Sequence, residues 1–315
     1  MKRKIRTAVI GVGNMGKHHV RIYSQISHLV AISDVIPELG RTIAHQYNVV
    51  YYKDYRQMLD EVKPDAVSVA VPTSYHREIV VGCLQRKIPT LVEKPIALTI
   101  PDGITMIDAS RKYRTSLMVG HIERFNPVII KLKELIDSRK FGDIINLLVM
   151  RVGISPPEIK DADVSLELAI HDIDIFNLLL GELPYNKHIL KKKVYKNSIA
   201  DSSTITLEYP KATALVYTNW ITPIKMRKLY VTGTKGFAEI DYITQKLILY
   251  KRLIQKKHYD DFTALTNETN LPNKKIYVSK KEPLKEELHY FLRCVIHKKQ
   301  NDATHALEAL RVLLV

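Results

Sequence analysis

The sequence predicts an α/β architecture: a doubly wound parallel sheet first, then an α+β part with a large, mostly antiparallel sheet. In the first third of the chain, short apolar runs alternate with amphipathic segments, which is typical of parallel strands joined by helices. Later strand-like runs follow one another without helices between them, which favours antiparallel pairing. We place the boundary after residue 121, which gives a first domain over residues 1–121 and a second over residues 122–315.

Length and composition support two globular domains. The chain has 315 residues, of which 46% are hydrophobic and 26% charged, and this excludes wholesale disorder or a collagen-like repeat. No run approaches the ~18 apolar residues that a membrane span needs. The basic first residues lead straight into a strand, without the cleavage site of a signal peptide. We therefore expect a cytoplasmic protein with no membrane partner.

The net charge of +15 is unusual, and such an excess can attract nucleic acids or phosphorylated small molecules. The lysines are scattered, and short runs such as 191–193 are typical of solvated surfaces. We therefore expect no nucleic-acid partner and favour a phosphate-bearing small molecule. Cys83 and Cys294 lie far apart in apolar stretches without metal-ligand spacing, so we expect buried thiols and no metal site.

Five apolar runs mark the strands of the first domain: IRTAVIGV, LVAISD, DAVSVAVP, TLVEKP and SLMVGH. In the second domain, Asn126 and Pro127 can cap and open a helix, because Asn accepts bonds from orphan amides and Pro lacks a donor. We predict a strand over 144–152 and a helix over 165–181. Six strands then follow: HILKKKVY, STITLEY, ATALVYTNW, KLYVTG, FAEIDY and LILYK. From Pro283 the chain is helical again.

The first strand runs into Gly11-Val-Gly13-Asn14-Met15-Gly16 and then a helical segment. Gly11 suits a tight turn, Gly13 lets a pyrophosphate approach the backbone, and Gly16 allows close packing of helix and strand. The glycine pattern alone is a weak signal, but here it opens the first strand-to-helix unit and an acid ends the next strand. The segment thus predicts a Rossmann-type dinucleotide site.

The acid that ends the second strand is Asp34. Its carboxylate can accept hydrogen bonds from ribose hydroxyls and would repel a 2′-phosphate, which favours NAD over NADP. Arg41 is a cation that could still reach such a phosphate.

Two places offer groups for acid–base chemistry. Glu93-Lys94-Pro95 follows an apolar strand, at the edge where ligands of open α/β sheets bind, and the Lys–Pro bond is a candidate for the cis form. Glu167, His171 and Asp174 are spaced four and then three residues apart, which places them on one face of a helix. On periodicity alone, a core or surface histidine is the favoured interpretation of His171.

The segments GVGNMG, AVPTSYH (70–76), EKP (93–95), GHIERFNP (120–127) and ELAIHDID (167–174) together resemble the Gfo/Idh/MocA oxidoreductase family. The resemblance covers nearly the whole chain. It implies a catalytic lysine, here Lys94, and a catalytic histidine, here His171. Members commonly have Asp four residues before that histidine, whereas this chain has Glu167, whose reach is longer. The resemblance also implies an NAD(P)-binding first domain and a second domain for substrate binding and oligomerisation.

Within the family, GHIERFNP, LAIHDID and the stretch from NWITPIK to FAEIDY look most like UDP-N-acetylglucosamine 3-dehydrogenases. The resemblance thus implies oxidation of a UDP-sugar hydroxyl to a ketone. His171 would take the hydroxyl proton and Lys94 would steady the alkoxide, although the two could exchange roles. The predicted cofactor-binding residues outside the glycine loop and Asp34 are Pro72, Thr73, His76, Glu93 and Lys94. The predicted substrate-binding residues are Lys94, Arg124, Asn126, His171, Asp174, Lys225 and Arg227.

Some of these residues have a simpler interpretation. Asn126 can be only a helix cap, and Lys225 and Arg227, which alternation on a strand would place on one face, can be solvated charges. A dehydrogenase of a free polyol such as inositol would use the same residues, and equilibrium binding of UDP would separate the two. A regulator that binds NAD without catalysis is a further alternative, against which both Lys94 and His171 argue. By family analogy we expect a homodimer or homotetramer.

Overall fold

The computed structural model describes residues 4–154, 162–195, 199–251 and 273–314. They form two compact units. The first contains the described residues up to Phe125, Ala162 and those from Glu282 onward, and the second contains the others. Within these ranges, no helix is both long and apolar enough to cross a membrane. Cys83 and Cys294 are buried free thiols, as predicted, and burial raises the pKa of the Cys83 thiol to about 12.

The first unit contains a six-stranded parallel sheet in the order β3-β2-β1-β4-β5-β6. Its strands are β1 (Arg6–Ile10), β2 (His28–Ser33), β3 (Val50–Tyr52), β4 (Ala66–Val69), β5 (Thr90–Glu93) and β6 (Leu117–Gly120). The helices that connect them are α1 (Gly16–Ile26), α2 (Pro37–Tyr47), α3 (Tyr55–Val62), α4 (His76–Gln85) and α5 (Ile100–Tyr113). The strand order reverses between β1 and β4. The predicted Rossmann fold is therefore confirmed, and its ligand crevice belongs at the carboxyl ends of these strands.

Two helices from the far end of the chain complete the first unit: α8 (Pro283–Ile296) and α9 (Thr304–Leu314). Leu288 and Phe291 of α8 are fully buried in one core cluster with Val20 and Tyr23 of α1. Our prediction had assigned all residues after 121 to the second domain. The compact units differ from that division because the apolar stripe of α8 is buried on α1.

The second unit contains an eight-stranded sheet in the order β14-β13-β12-β11-β7-β10-β9-β8. Its strands are β7 (Ile144–Val152), β8 (Asn186–Lys192), β9 (Ser202–Glu208), β10 (Thr213–Asn219), β11 (Met226–Gly233), β12 (Gly236–Asp241), β13 (Lys246–Lys251) and β14 (Asn273–Ile276). Every described pair is antiparallel except β7 with β10, which is parallel. The predicted large, mostly antiparallel sheet is thus confirmed.

The second unit also contains α6 (Pro127–Asp137) and α7 (Ile170–Leu180), and α7 contacts both β7 and β10. A π-helical turn over Ser165–Ala169 leads into α7, and Gly181 ends that helix with a left-handed φ of 70°. Side chains alternate along the central strands, since Leu147 and Val149 are fully buried while Leu148 is partly exposed. One face of the sheet is therefore buried and the other is open.

Candidate active site

The glycine loop after β1 has the conformation that its sequence predicts. Gly11 has a φ of +82°, and a Cβ there would lie 2.6 Å from the carbonyl oxygen of Ala70. A Cβ on Gly16 would lie 1.9 Å from the carbonyl oxygen of Gly11. A Cβ on Gly13 would meet nothing within 4 Å. Gly11 and Gly16 are thus required by the fold, while Gly13 faces open space that a phosphate could approach.

Helix α1 begins directly after this loop, and no described side chain caps its first turn. Met15 occupies the N-cap position and Asn14 before it is exposed. An uncapped helix start presents backbone N–H groups and a partial positive charge, which suits a pyrophosphate. The loop and helix together fit the dinucleotide that the sequence predicts.

Asp34 follows β2 and reaches back to the glycine loop. Its Oδ2 accepts a hydrogen bond from the Val12 N–H at 2.8 Å, and its Oδ1 accepts one from the Ile36 N–H at 2.9 Å. Tyr51 also donates its hydroxyl to the Asp34 carbonyl oxygen at 2.9 Å. These bonds fix the carboxylate beside the loop, and each oxygen keeps a lone pair for a further donor. Ribose hydroxyls are donors of this kind.

The segment after β4 carries Pro72, Thr73 and His76. Pro72 is exposed and Thr73, which is partly exposed, opens a short 3₁₀ turn, so both stay candidates for cofactor binding. The His76 side chain, in contrast, is 1% exposed, with Nε2 3.1 Å from the Val71 carbonyl oxygen and Nδ1 3.1 Å from that of Pro95. Burial lowers the pKa of His76, which favours the neutral ring, and a neutral ring can donate to only one of these two carbonyl groups at a time. The buried ring therefore lies between the loops that follow β4 and β5, and cofactor binding by His76 stays a prediction.

Glu93 and Lys94 end β5 and point to different environments. Glu93 is buried, and its carboxylate accepts bonds from His19 Nε2 at 2.9 Å and from the Lys94 N–H at 3.3 Å. Lys94 is only partly buried, and the Lys94–Pro95 bond is cis, as the sequence suggested. Lys94 therefore stays a candidate for chemistry. Glu93, predicted to bind the cofactor, instead acts on the backbone of Lys94.

The second unit contains a cavity of about 360 Å³. Three predicted site residues, Glu167, Lys225 and Arg227, lie in its wall. The remaining lining residues are Gly153, Ile154, Leu168, Trp220 and Pro223. Two cations and a carboxylate on an apolar wall suit a ligand that carries both an anionic group and hydroxyls. Trp220 was not predicted, although its being the only tryptophan in the chain is a signal that could have marked it.

The predicted common face of Glu167, His171 and Asp174 is only partly present. Glu167 lies in the π-helical turn, whereas His171 and Asp174 lie on α7. A π turn adds a residue to the helical repeat, so spacing counted for a regular α-helix fails across it. Glu167 and His171 are partly exposed, but Asp174 is buried at 1% exposure. Substrate binding by Asp174 therefore stays a prediction, and the structure shows a buried carboxyl on α7.

A buried ion pair that the sequence analysis missed fixes α7 on β7. Arg151 Nε lies 2.5 Å and Nη2 2.8 Å from the two carboxylate oxygens of Asp172. Both side chains are almost fully buried, and the guanidinium lies over the Tyr242 ring. Because Asp172 directly follows His171, this pair sets the orientation of the helix that carries the histidine. The Arg151–Asp172 pair could have been predicted only from knowing which residues of β7 face α7.

Asn126 is a structural residue in this arrangement. Its Oδ1 accepts a bond from the Val128 N–H, and its Nδ2 donates to the Tyr242 carbonyl oxygen at 3.2 Å. The predicted cap of α6 is thus confirmed. Because the side chain is 2% exposed, we revise the predicted substrate contact. Arg124 lies in a 3₁₀ turn of the first unit and is partly exposed, so it stays a candidate.

Two family models match this chain. One, described as an oxidoreductase family with an NAD-binding Rossmann fold, matches residues 5–121, and the other, the Gfo/Idh/MocA C-terminal domain, matches residues 129–239. The chain belongs to the Gfo/Idh/MocA family. It is accordingly an NAD(P)-dependent oxidoreductase that acts on CH–OH groups, as the sequence predicted.

Relatives in the Gfo/Idh/MocA family carry different substrate names. The chain is 28% identical to a UDP-N-acetylglucosamine 3-dehydrogenase of Acidithiobacillus ferrooxidans over 79% of this chain and 77% of that protein. It is 26% identical to a myo-inositol 2-dehydrogenase of Thermotoga maritima, over 78% of each. A solved structure of the Acidithiobacillus ferrooxidans enzyme matches with a TM-score of 0.85 at 23% identity, over 99% of this chain and 96% of that one. The family fold is therefore common to enzymes for nucleotide sugars and for free polyols.

Proposed function

We propose that this enzyme oxidises the 3-hydroxyl of UDP-N-acetylglucosamine, or of a related UDP-sugar, to a ketone with NAD. The observation that carries the proposal is the cavity of the second unit, in which Lys225 and Arg227 accompany Glu167. Arg can bind a phosphate in bidentate fashion and Lys adds a point charge, so the two suit a diphosphate. A free polyol carries no anionic group that Lys225 and Arg227 could bind. The similarity to a UDP-N-acetylglucosamine 3-dehydrogenase agrees with this choice.

The proposed chemistry assigns one task to each side chain. NAD, when bound, accepts a hydride from the carbon that carries the hydroxyl. His171 takes the hydroxyl proton as a general base, and Lys94 donates a hydrogen bond to the same oxygen as negative charge develops. Glu167 supplies a carboxylate near the sugar. Glu93 and the Arg151–Asp172 pair hold Lys94 and α7 in place and touch no substrate atom.

We further propose that NAD is preferred over NADP. Both carboxylate oxygens of Asp34 are held by backbone N–H groups beside the glycine loop. The fixed carboxylate can accept hydrogen bonds from ribose hydroxyls, and its negative charge repels a 2′-phosphate. Parallel assays with the two cofactors measure this preference directly.

The test is NADH absorbance with UDP-N-acetylglucosamine and NAD, followed by mass spectrometry of the product. We expect NADH to form and the sugar nucleotide to lose two hydrogens. Equilibrium binding of UDP alone, measured by calorimetry, tests the diphosphate site, and Lys225→Ala and Arg227→Ala should each weaken it. Lys211→Ala, on an exposed position of the same unit, is the control and should leave binding unchanged.

Turnover of myo-inositol together with no binding of UDP would instead support a polyol dehydrogenase. The 26% identity to a myo-inositol 2-dehydrogenase makes this the main rival. NAD binding without turnover of either substrate would contradict both assignments.

We also propose that the open face of the second unit's sheet joins copies of this chain into a homodimer or homotetramer. Adjacent strands place partly exposed apolar residues side by side there, since Leu148 of β7 pairs with Leu215 of β10 and with Tyr230 of β11. Tyr230 in turn stacks on Phe237. A broad apolar sheet face of this kind is typical of a protein–protein interface.

A further inference from the structure

A cluster of buried ionisable side chains lies inside the first unit, behind Lys94. His19 comes from α1, Glu93 ends β5, and Glu287 comes from α8; their exposures are 0%, 7% and 0%. Glu287 occupies the apolar stripe of its helix, between Leu284 and Phe291, where a hydrocarbon side chain would be expected. Neither family model covers this helix. The role of Glu287 is therefore not assigned by the family match.

Glu93 is the member of the cluster that carries the negative charge. Burial opposes its ionisation, but the hydrogen bond from His19 and the positive charge of Lys94 outweigh it, so the pKa of Glu93 is lowered. Gly120 on β6 lies directly beside this carboxylate, since a Cβ there would lie 3.4 Å from both of its oxygens. The ionised carboxylate then accepts the bonds from His19 and from the Lys94 N–H.

Glu287 is in the opposite situation. Both of its carboxyl oxygens are buried and have no hydrogen-bond partner among the described residues. Burial, and then the charge of Glu93, raise the pKa of Glu287 well above its usual value. Two buried carboxylates close together cannot both be ionised without a large cost in free energy. Glu287 therefore takes the proton and Glu93 keeps the charge.

The elements packed against α8 bring few other charges to this point. Tyr23 of α1 is buried, and it shares a hydrogen bond of 2.8 Å with Ser68. The remaining ionisable groups next to the cluster on α1 and on the turn Ile122–Phe125 are exposed or partly exposed: Lys17, His18, Arg21, Glu123 and Arg124. Two further buried histidines lie near Glu93: His76, on which the charge of Glu93 acts, and His121, which directly follows Gly120. Among the described buried groups, the balance of charge thus involves these two histidines as well as His19, Glu93 and Glu287.

We propose that Glu287 is a positioning residue for Lys94: as a neutral carboxylic acid it keeps a single negative charge on Glu93, which in turn holds the Lys94 backbone. The link to catalysis rests on the proposed role of Lys94. Ionisation of Glu287 at alkaline pH puts a second negative charge beside Glu93. The repulsion loosens the segment that carries Lys94, so turnover and stability both fall.

The sign of the effect on stability follows from linkage. A carboxyl whose pKa is raised by folding contributes its full share to the free energy of unfolding only below its unfolded pKa of about 4.3. That stability is lost as the pH rises towards and through the folded pKa. Glu287→Gln mimics the neutral acid and does not titrate. The variant should therefore gain thermal stability relative to wild type as the pH increases.

The experiment compares wild type, Glu287→Gln and the control Glu286→Gln, which changes the adjacent, partly exposed residue of the same helix. Unfolding temperatures are measured from about pH 5 to about pH 9. We expect the difference between Glu287→Gln and wild type to grow with pH by several degrees, and that of Glu286→Gln to stay constant. Infrared spectra at about pH 8 should show a buried carboxylic-acid band in wild type that Glu287→Gln lacks.

A second variant keeps the test independent of one substitution. Glu93→Gln removes the neighbouring charge, so the acid band of Glu287 should disappear at lower pH than in wild type. In activity assays, the ratio of turnover at about pH 9 to that at about pH 7 should rise ~3-fold or more in Glu287→Gln over wild type, with KM for NAD unchanged.

A temperature difference that is constant with pH, or an acid band that persists in Glu287→Gln, would show that Glu287 is not the protonated group and would overturn the proposal. An unchanged activity ratio would overturn its positioning role. If Lys94→Ala retained turnover, the proposed function would fail while the temperature and infrared results still identified the protonated carboxyl.

Discussion

Lys94 is the side chain on which the proposed chemistry depends most. Lys94→Ala should lower turnover by ~10² or more, because a donor to the developing alkoxide is lost. NAD affinity should stay within a few-fold, since the glycine loop and Asp34 are untouched. Steady-state NADH absorbance and NAD titration calorimetry measure the two quantities.

The double variant with His171→Ala tests whether the two residues act in one step. Groups that act as a unit are strongly non-additive, so Lys94→Ala/His171→Ala should be little slower than the slower single variant. If the losses of turnover in the two single variants multiplied in the double variant, Lys94 and His171 would not act on the same hydroxyl. Lys87→Ala, on the exposed surface of the first unit, serves as the control.

At the scale of residues, the sequence identified candidate residues along the chain more reliably than it predicted whether their side chains are buried. The conformation of the glycine loop and the strand ends that carry Asp34 and Lys94 were predictable, because they are tied to the backbone at the ends of apolar strands. His76, Glu93 and Asp174 were assigned to ligands, yet each is buried in the structure. Their burial depends on residues distant in sequence, such as His19 for Glu93, and no local pattern reports it.

At the scale of elements, the Arg151–Asp172 pair makes the clearest prediction. Asp172→Ala leaves a guanidinium buried without its carboxylate, so the free energy of unfolding should fall by about 3–5 kcal/mol. Replacing both residues by apolar ones, as Arg151→Met/Asp172→Leu, should cost much less. Urea denaturation followed by circular dichroism measures both.

The control for this pair is an exposed one. Asp137→Ala removes the carboxylate that pairs with Lys133 on the surface of α6, and should cost less than about 1 kcal/mol. A similar loss for Asp137→Ala and Asp172→Ala would show that burial of the Arg151–Asp172 pair is unimportant.

Most elements were predictable because their apolar pattern extends over many residues. The strand over 144–152 and the six that follow it in the second unit agree with the structure within three residues at each end. Strands β3 and β14 were missed, since they have three and four residues and are largely exposed. The π-helical turn before α7 was also missed, because it changes the hydrogen-bonding pattern without changing the composition.

At the scale of the whole molecule, the open sheet face predicts self-association. Wild type should elute with a mass of two or four times 36.2 kDa in light scattering coupled to size exclusion. Leu215→Lys places a charge at the centre of that face and should shift the protein towards monomer. Ile296→Lys, at a 57% exposed apolar residue of the first unit, is the matched control. A monomeric wild type would contradict the proposal.

The packing of α8 on α1 also constrains how the protein can be made. A ribosome releases the glycine loop and its sheet long before it reaches residues 283–296, so the early chain exposes the side chains of Val20 and Tyr23 that α8 later covers. The nucleotide-binding unit cannot complete its core while synthesis is under way. Until then the unit exposes an apolar surface of the kind that chaperones bind.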